Sequence, residues 1–325
     1  MESREQVLFT DRRTDRNAHS GTNGDTYGSS KTKMRFVTGG ESGTYYAFGS
    51  TIAQHATNNA GIEVVGLVGN GSKSNVEELD AGNAELAFCQ SDVMAYAYNG
   101  TNIFDKKIDC FSTVAALYAE QVQIVTVDPS IKTVADLEGK NVSVGQAGSG
   151  VYFNAVDILS AYGIGDLDAD GKFTKINATY QSFGDSADAL KDGKIDAAFI
   201  VAGAPTTAIV DLSTTKPVSL VSLDDEHIDA LLKSSPYYSK CTIKADVYGL
   251  ESDTTTVAVG AVILARDDVP ADAIKALCAD IFDNASSLVS SHAKYGELNL
   301  EYASSITSVP YHAGAVEYFA EHNIT

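Results

Sequence analysis

Basic side chains are scarce in this sequence of 325 residues. Lysine and arginine together number 23, against 43 aspartate and glutamate residues, and the net charge is −20. Such an excess of negative charge repels phosphate backbones and anionic lipid surfaces, which argues against general nucleic-acid binding and membrane-surface binding. Small anions are not excluded, because local dipoles rather than the total charge decide their binding.

Long apolar runs are also missing. No stretch approaches the roughly 18 uninterrupted apolar residues that a transmembrane helix requires. Hydrophobic residues make up 44% of the chain and charged residues 20%, which is typical of a globular protein. The length is about twice that of a usual single domain and favours two domains.

Cysteine is too sparse to define a framework. The four residues Cys89, Cys110, Cys241 and Cys278 form no CxxC pair, and they allow three disulfide connectivities. We expect them to be small buried hydrophobic residues. One or two disulfides remain the alternative for an exported protein.

The usual catalytic motifs are absent. Residues 71–74 (GSKS) have the wrong order for a phosphate-binding loop, AGSG (147–150) is not a GxSxG elbow, and GGESG (39–43) is not GxGxxG. No HExxH occurs, and the six histidines are scattered. Asp92 and Glu120 are the nearest candidates for a titratable cluster, and neither has a partner close in sequence. The sequence therefore argues against an enzyme.

Residues 1–33 differ in composition from the rest. They are rich in Arg, Asp, Ser, Thr, Gly and Asn and contain few sizeable apolar groups. Such a segment buries too little surface to offset its ordering entropy, so we interpret it as a disordered leader or a cloning scar. It has no apolar core of a secretory signal peptide.

From Met34 onward, short β-rich runs alternate with helical stretches, which predicts an α/β fold with parallel strands. An internal repeat indicates two similar lobes. GGESG (39–43) and GQAGSG (145–150) each follow a predicted strand and precede a helix, and Leu-x-x-Gly recurs at 79–82 and 190–193 before a short buried strand. The predicted strands are Arg35–Thr38, Ile62–Val68, Leu86–Phe88, Gln123–Val127, Asn141–Val144, Ala197–Val201 and Val257–Ala265.

Two such lobes face to face would form a cleft. Ligands of open α/β sheets bind beyond the carboxyl ends of the strands, where glycine-rich loops lead into helix N-termini. The unpaired N–H groups and the positive dipole end of each helix suit a carboxylate or a phosphate. The sequence therefore predicts a small-anion site between the lobes.

The acidic segment at 166–171 matches the first half of a calcium-binding loop. Asp166, Asp168 and Asp170 are followed by a glycine at the sixth position, but Asn177 stands where the bidentate glutamate belongs. A solvated acidic turn is the simpler interpretation, and a structural calcium site is the alternative. No other cofactor is expected.

Several long segments resemble one family. FVTGGESGTYYAFGSTIAQ (36–54), GNGSKSNVEELDAGNAELAFCQSDV (69–93), LEGKNVSVGQAGSGVYFNA (137–155) and SFGDSADALKDGKIDAAFIVAGAPTTAI (182–209) are similar to the TAXI solute-binding proteins of tripartite ATP-independent periplasmic (TRAP) transporters. TVAVGAVILARDDVP (256–270) and YHAGAVEYF (311–319) extend the resemblance almost to the end of the chain.

The resemblance implies a two-lobed, type II-like periplasmic-binding fold with a hinge and a central cleft. Lobe one would comprise residues 34–119 and 256–290, lobe two 120–255, and 291–325 a C-terminal helical appendage. Family members are exported to the periplasmic or extracellular face of the membrane, often as lipoproteins. They bind small organic anions such as glutamate, glutamine or 2-oxoglutarate and deliver them to a membrane-embedded TRAP permease.

The matched motifs also imply the ligand-binding residues. They offer backbone N–H groups, hydroxyls, a neutral amide and small residues that allow close approach. They are Thr44, Tyr45, Gly71, Ser72, Gln90, Ser91, Ser149, Gly150, Val151, Asn154, Ala202 and Gly203. No arginine lies in these loops, so no bidentate clamp for a dicarboxylate is predicted. A ligand-binding sensor domain and an enzyme on the same scaffold remain the alternatives.

Overall fold

A computed structural model describes residues 31–102 and 104–324. The segment 1–33, interpreted above as a leader or scar, lies outside the described residues except for its last three. Lys33 opens the first strand.

The described chain alternates strands and helices. The strands are β1 (Lys33–Val37), β2 (Glu63–Leu67), β3 (Leu86–Gln90), β4 (Phe111–Thr126), β5 (Asn141–Ser143), β6 (Asn177–Thr179), β7 (Ala197–Ala202), β8 (Ser219–Leu220), β9 (Ser239–Ile243) and β10 (Thr254–Arg266). The helices are α1 (Thr44–Asn59), α2 (Ser72–Asp80), α3 (Ser91–Asn99), α4 (Val151–Ala161), α5 (Phe183–Lys191), α6 (Thr207–Ser213), α7 (Asp225–Ser234), α8 (Ala271–Asp283), α9 (Ala285–Leu288), α10 (Leu300–Ala303) and α11 (Ala313–Glu321).

The strands form one sheet with the order β2-β1-β3-β10-β4-β7-β5-β6. β1, β2 and β3 pair in parallel, and so do β5, β6 and β7, with the first strand of each set in the middle. β8 and β9 pair with β4 and β10 at the side. This symmetry confirms the internal repeat and the α/β fold class. We call the part built on β1–β3 and α1–α3 lobe one, and the part built on β5–β7 and α4–α6 lobe two.

The repeated motifs occupy equivalent places in the two lobes. GGESG (39–43) lies between β1 and α1, and GQAGSG (145–150) lies between β5 and α4. Gly82 and Gly193 end α2 and α5 with φ angles of 71° and 69°. Glycine adopts this left-handed conformation at little cost, which explains why both helices stop there.

β4 and β10 connect the lobes. The first part of β4, up to Gln121, pairs with β10, and residues 121–126 pair with β7 of lobe two. At its other end β10 pairs with β3 of lobe one. Two strands thus cross between the lobes, and they supply the segments about which a hinge would bend.

Each lobe has its own hydrophobic core. In α1 the residues Tyr45, Phe48, Ile52 and Ala56 are spaced three or four apart, so they share the face that packs on the sheet. They join Phe36 and Phe88 in the core of lobe one. Val142, Ile158 and Phe199 belong to the core of lobe two.

The C-terminal residues pack into lobe one. Tyr295, Tyr318 and Phe319 are buried in the same core as α1 and α8. The lobe boundaries and the separate appendage given above stay predictions. All four cysteines are free thiols, with Cys89 and Cys278 buried. Over the described ranges, no helix has the length and apolarity needed to cross a bilayer.

Candidate ligand-binding site

A cavity of about 100 Å³ lies between the lobes, beyond the carboxyl ends of the parallel strands. This volume is below the roughly 300–1,000 Å³ of sites for drug-sized ligands, so the cavity suits a small metabolite. Nine of the twelve predicted residues line it, namely Thr44, Tyr45, Gly71, Ser72, Gln90, Ser149, Gly150, Val151 and Ala202. Their contact with a ligand stays a prediction.

Four helices begin at this cavity. The first residues of α1, α2, α4 and α5 all line it. Glycines 43, 71 and 150 precede α1, α2 and α4 and provide no side-chain cap, whereas Ser182 caps α5. The first N–H groups of a helix have no partner inside the helix. Three uncapped helix starts therefore direct backbone donors and positive dipole ends toward one small space.

Ser149 adds a side-chain donor. It is 8% exposed, and its hydroxyl has no hydrogen-bond partner among the described residues. Buried hydroxyls are normally hydrogen-bonded, and an unpaired one costs free energy. A ligand oxygen in the cavity would satisfy this group.

A buried carboxyl lies in the wall of the cavity. Glu120 on β4 is 2% exposed, and the Tyr45 hydroxyl donates to its Oε2 atom at 3.0 Å. The Tyr45 ring stacks on Phe88, with centroids 4.5 Å apart. Burial raises the pKa of Glu120 well above its usual range, and the Tyr45 hydrogen bond opposes this shift. The sequence analysis considered Glu120 only as an unpartnered catalytic candidate, because Tyr45 is 75 residues away in the chain.

The sequence analysis missed other lining residues besides Glu120. Most belong to the glycine-rich loops already identified or to the start of α5. They are Gly39, Gly40, Glu41, Ser42, Gly43, Asn70, Gln146, Gln181, Ser182, Phe183, Gly184 and Val201. The duplicated architecture could have indicated 181–184, since this segment corresponds to 69–72 of lobe one.

Hydrogen bonds join the lobes around the cavity. The Ser74 N–H of lobe one donates to the Gly148 carbonyl of lobe two at 3.0 Å. The Thr44 hydroxyl donates to the Gly203 carbonyl at 2.8 Å. The lobes are therefore in direct contact, as in the closed arrangement of a hinged binding protein.

Glycines allow this contact. A Cβ atom at Gly150 would overlap the side-chain oxygen of Gln90, and one at Gly71 would lie 2.9 Å from the Cα of Ser149. Only residues without side chains fit at these two positions while the lobes touch.

Two predicted residues lie outside the lining and serve the fold. The Ser91 hydroxyl accepts a hydrogen bond from the Gly260 N–H at 2.9 Å, which ties α3 to β10. Gly203 contributes its carbonyl to Thr44, and a Cβ there would approach the Lys294 side chain within 2.5 Å.

The third such residue, Asn154, forms a buried polar network next to the cavity. Its Nδ2 donates to Asp92 at 2.9 Å and to the Tyr238 hydroxyl at 2.8 Å, and its Oδ1 accepts from Gln90 at 2.6 Å. Tyr238 in turn donates to Asp157. Burial raises the pKa of Asp92 to about 6, although the hydrogen bonds that its carboxylate accepts lower the pKa. The network connects the lobes behind the cavity.

The acidic turn at 166–171 is held by hydrogen bonds. Asp168 accepts from the N–H groups of Asp170 and Lys172 at 2.9 Å, and Asp166 pairs with Lys175 at 3.0 Å. Within 31–102 and 104–324, no group of three acidic, histidine or cysteine side chains is placed to hold a metal. The calcium site therefore stays a prediction without support from these contacts.

The fold of this chain is similar to that of solved periplasmic proteins. A solved structure of a periplasmic transporter superposes with a TM-score of 0.52, at 15% identity over 91% of this chain and 95% of that one. The periplasmic aliphatic sulphonate-binding protein SsuA from Escherichia coli gives a TM-score of 0.42 at 16% identity, covering 90% and 84% of the two chains. The substrate-binding protein of an amino acid ABC transporter gives 0.45 at 13% identity, covering 82% and 96%.

The sequence itself matches a family along most of its length. The sequence model of the NMT1-like family covers residues 36–322. The matched range includes both glycine-rich loops, both crossing strands and every residue that lines the cavity. The chain therefore belongs to the NMT1-like family and has the mixed α/β, two-lobed fold of periplasmic binding proteins.

Proposed function

We propose that this protein is an extracytoplasmic solute-binding protein that captures a small organic anion, an amino acid or a dicarboxylate, between its lobes. The observation that carries the proposal is the convergence of three uncapped helix starts and the unpartnered Ser149 hydroxyl on one small cavity. No bond is made or broken in this role. Binding would favour the closed arrangement of the lobes, which a transport partner then recognises.

The energies are sufficient for useful affinity. Hydrogen bonds to a charged group contribute about 1.5–3 kcal/mol each, and a partly buried helix dipole up to about 2 kcal/mol. Two or three such bonds from each lobe would contribute about 6–18 kcal/mol before the costs of association are subtracted, which is enough to reach the roughly 8 kcal/mol of a micromolar complex.

We propose further that the permease is of the TRAP type and that the protein is a TAXI member, on the sequence resemblance alone. Uptake of the bound solute by cells or vesicles should then require both the permease and this protein. Uptake that proceeds equally without this protein would contradict the delivery role.

Thermal melting with a reporter dye tests capture, since the chain has no tryptophan. The probes are glutamate, glutamine, 2-oxoglutarate, glutarate and succinate. A ligand at 100 times its dissociation constant stabilises the protein by about 2.7 kcal/mol. That should raise the midpoint by several degrees, at roughly 2–4 °C per kcal/mol.

Ser149→Ala is the matched variant. Loss of one hydrogen bond to a charged group should weaken binding by about 10-fold or more and reduce the shift. The variant should melt at or above the wild-type temperature without ligand, because it loses an unsatisfied hydroxyl. A full shift in Ser149→Ala would remove Ser149 from the site, and no shift with any probe in wild type would contradict capture of this ligand class.

A further inference from the structure

The charges that line the cavity are of one sign. The lining contains Glu41 and Glu120, and among the described residues it contains no lysine, arginine or histidine. Glu41 is exposed at the rim, whereas Glu120 is 2% exposed. The partial positive charge in the cavity comes instead from the N-terminal ends of the helices, which follow the glycine-rich loops of the two lobes.

Glu120 has unused hydrogen-bonding capacity. Tyr45 donates to its Oε2 atom, and no other group in the described part of the chain donates to its carboxyl. Lys294 is the nearby basic residue, but its ammonium group bonds to the Ala204 carbonyl at 3.0 Å and to Glu297 at 2.6 Å. The carboxyl therefore has no cationic partner of its own.

Glu120 lies on a different element from the backbone anion donors. It lies on β4 opposite Val259 of β10, where the chain passes from one lobe to the other. The uncapped helix starts approach from the glycine loops of the lobes. One end of the cavity thus suits a negative group, and the β4 wall suits a positive one.

We propose that Glu120, positioned by Tyr45, is the subsite for an ammonium group, so that the protein selects amino acids over keto acids and dicarboxylates of the same size. This inference rests on the proposed function. An amino acid would place its carboxylate on the helix starts and its ammonium group on the Glu120 carboxylate. A ligand with carboxylates alone would leave a buried acid facing negative charge, which is unfavourable.

Burial and the neighbouring charges are consistent with this role. Burial and Asp92 raise the pKa of Glu120, whereas Tyr45 and Lys294 lower it. Tyr118 and Tyr302 also lie near this carboxyl, and their own pKa values are raised by burial and by its charge. A ligand ammonium group would provide the opposite charge that favours the ionised carboxyl.

The test is calorimetric titration with matched pairs that differ only at the α-position. The probes are glutamate with 2-oxoglutarate, alanine with pyruvate, and valine with 2-oxoisovalerate. Wild type should bind the amino acid of at least one pair about 10-fold or more tightly than its keto acid. Equal or tighter binding of the keto acids would overturn the inference and leave the proposed function standing, whereas binding of no probe would contradict both.

Two substitutions test whether the preference for the amino acid depends on Glu120. Glu120→Gln should weaken binding of the amino acid by about 10- to 100-fold and leave the keto acid unchanged or tighter. Glu251→Gln is the matched control, since it removes an exposed carboxylate that is not among the residues lining the cavity, and it should change both affinities by less than about 3-fold. Equal weakening of both ligands by Glu120→Gln would overturn the assignment.

A second variant covers a failure of Glu120→Gln to fold. Tyr45→Phe keeps the ring that stacks on Phe88 and removes only the hydroxyl that positions Glu120. It should weaken binding of the amino acid by about 3- to 10-fold without affecting the keto acid. An unchanged ratio of the two affinities in Tyr45→Phe would count against the ammonium subsite.

Discussion

Gly150 lies where the lobes touch, and its lack of a side chain permits the contact. Its backbone angles are φ −73° and ψ −20°, which alanine also adopts readily, so the obstacles to a methyl group are the side chains of Gln90 and Ser72 of the other lobe. We expect Gly150→Ala to fold normally and to hold the lobes apart. Its affinity for L-glutamate in calorimetry should fall at least about 10-fold.

Gly296→Ala is the control for that substitution. A Cβ at Gly296 would meet only Val289, at an ordinary distance of 3.7 Å, and this glycine is not among the residues that line the cavity. It should bind as wild type does. If Gly150→Ala also binds L-glutamate with wild-type affinity, contact between the lobes at this point is not needed for capture.

Asp92 should make stability depend on pH. Its folded-state pKa of about 6 is above the ordinary value of 3.8, so the folded protein binds this proton more tightly than the unfolded chain. The free energy of unfolding from this group therefore falls as pH rises from about 4 to 6, by about 3 kcal/mol in total. Above pH 6 its contribution is constant.

Melting midpoints between pH 4 and pH 7 measure this effect. Asp92→Asn should lose that part of the pH dependence, since its amide does not titrate. Asp170→Asn, at an exposed turn, serves as the control and should follow wild type. Parallel curves for wild type and Asp92→Asn would show that Asp92 is ionised throughout this range.

The start of α1 allows a test of a backbone donor. Thr44 is the first residue of the helix, where proline is tolerated, and Gly43 before it is extended, as a residue before proline prefers. Thr44→Pro therefore removes the N–H group and keeps the helix. Both substitutions remove the hydroxyl that donates to the Gly203 carbonyl, but Thr44→Val keeps the N–H group.

The difference between these two variants reports on the N–H group alone. Thr44→Pro should bind L-glutamate about 10-fold or more weakly than Thr44→Val, because a hydrogen bond to a charged group is lost. Their melting midpoints should be similar in the absence of ligand. Equal affinities would mean that this helix start does not contact the ligand.

Local sequence signals predicted the elements that begin and end at glycine. The loops at 39–43 and 145–150 and the stops at Gly82 and Gly193 are set by backbone geometry within a few residues. The first twelve residues of β4, 111–122, were missed. This stretch contains three alanines and shows no regular apolar–polar alternation, so its extended state depends on pairing with β10 and, only at residues 121 and 122, with β7.

The candidate site, like the fold, could be predicted from the sequence only where its signals are local. Residues of the glycine loops were found because their signal is local, whereas Glu120 contacts Tyr45 only in the folded chain. The available signal was that Glu120 is the only charged residue in the run 114–125, since charged residues are seldom fully buried unless they are paired. Asn154, predicted as a ligand-binding residue one turn into α4, lies in the polar network behind the cavity, and its contact with a ligand stays a prediction.

At the scale of the whole molecule, the two crossing strands and the separate main cores are typical of a protein whose lobes can move apart. The main cores of the lobes contain different residues, and the lobes meet through hydrogen bonds, glycine packing and the packing of Phe153 of α4 against Tyr96 of α3. Polar contacts of this kind separate at lower cost than a hydrophobic core. In the proposed function, a bound anion shifts the small free-energy balance between open and closed lobes.

A crystal structure of the complex with the amino acid or carboxylate that raises the melting midpoint most tests the central claim directly. The account predicts one ligand between the lobes, with carboxylate oxygens about 2.7–3.2 Å from the N–H groups of Thr44 and Val151 and from the Ser149 hydroxyl. A ligand bound outside this cavity, or a carboxylate turned away from all three helix starts, would contradict it.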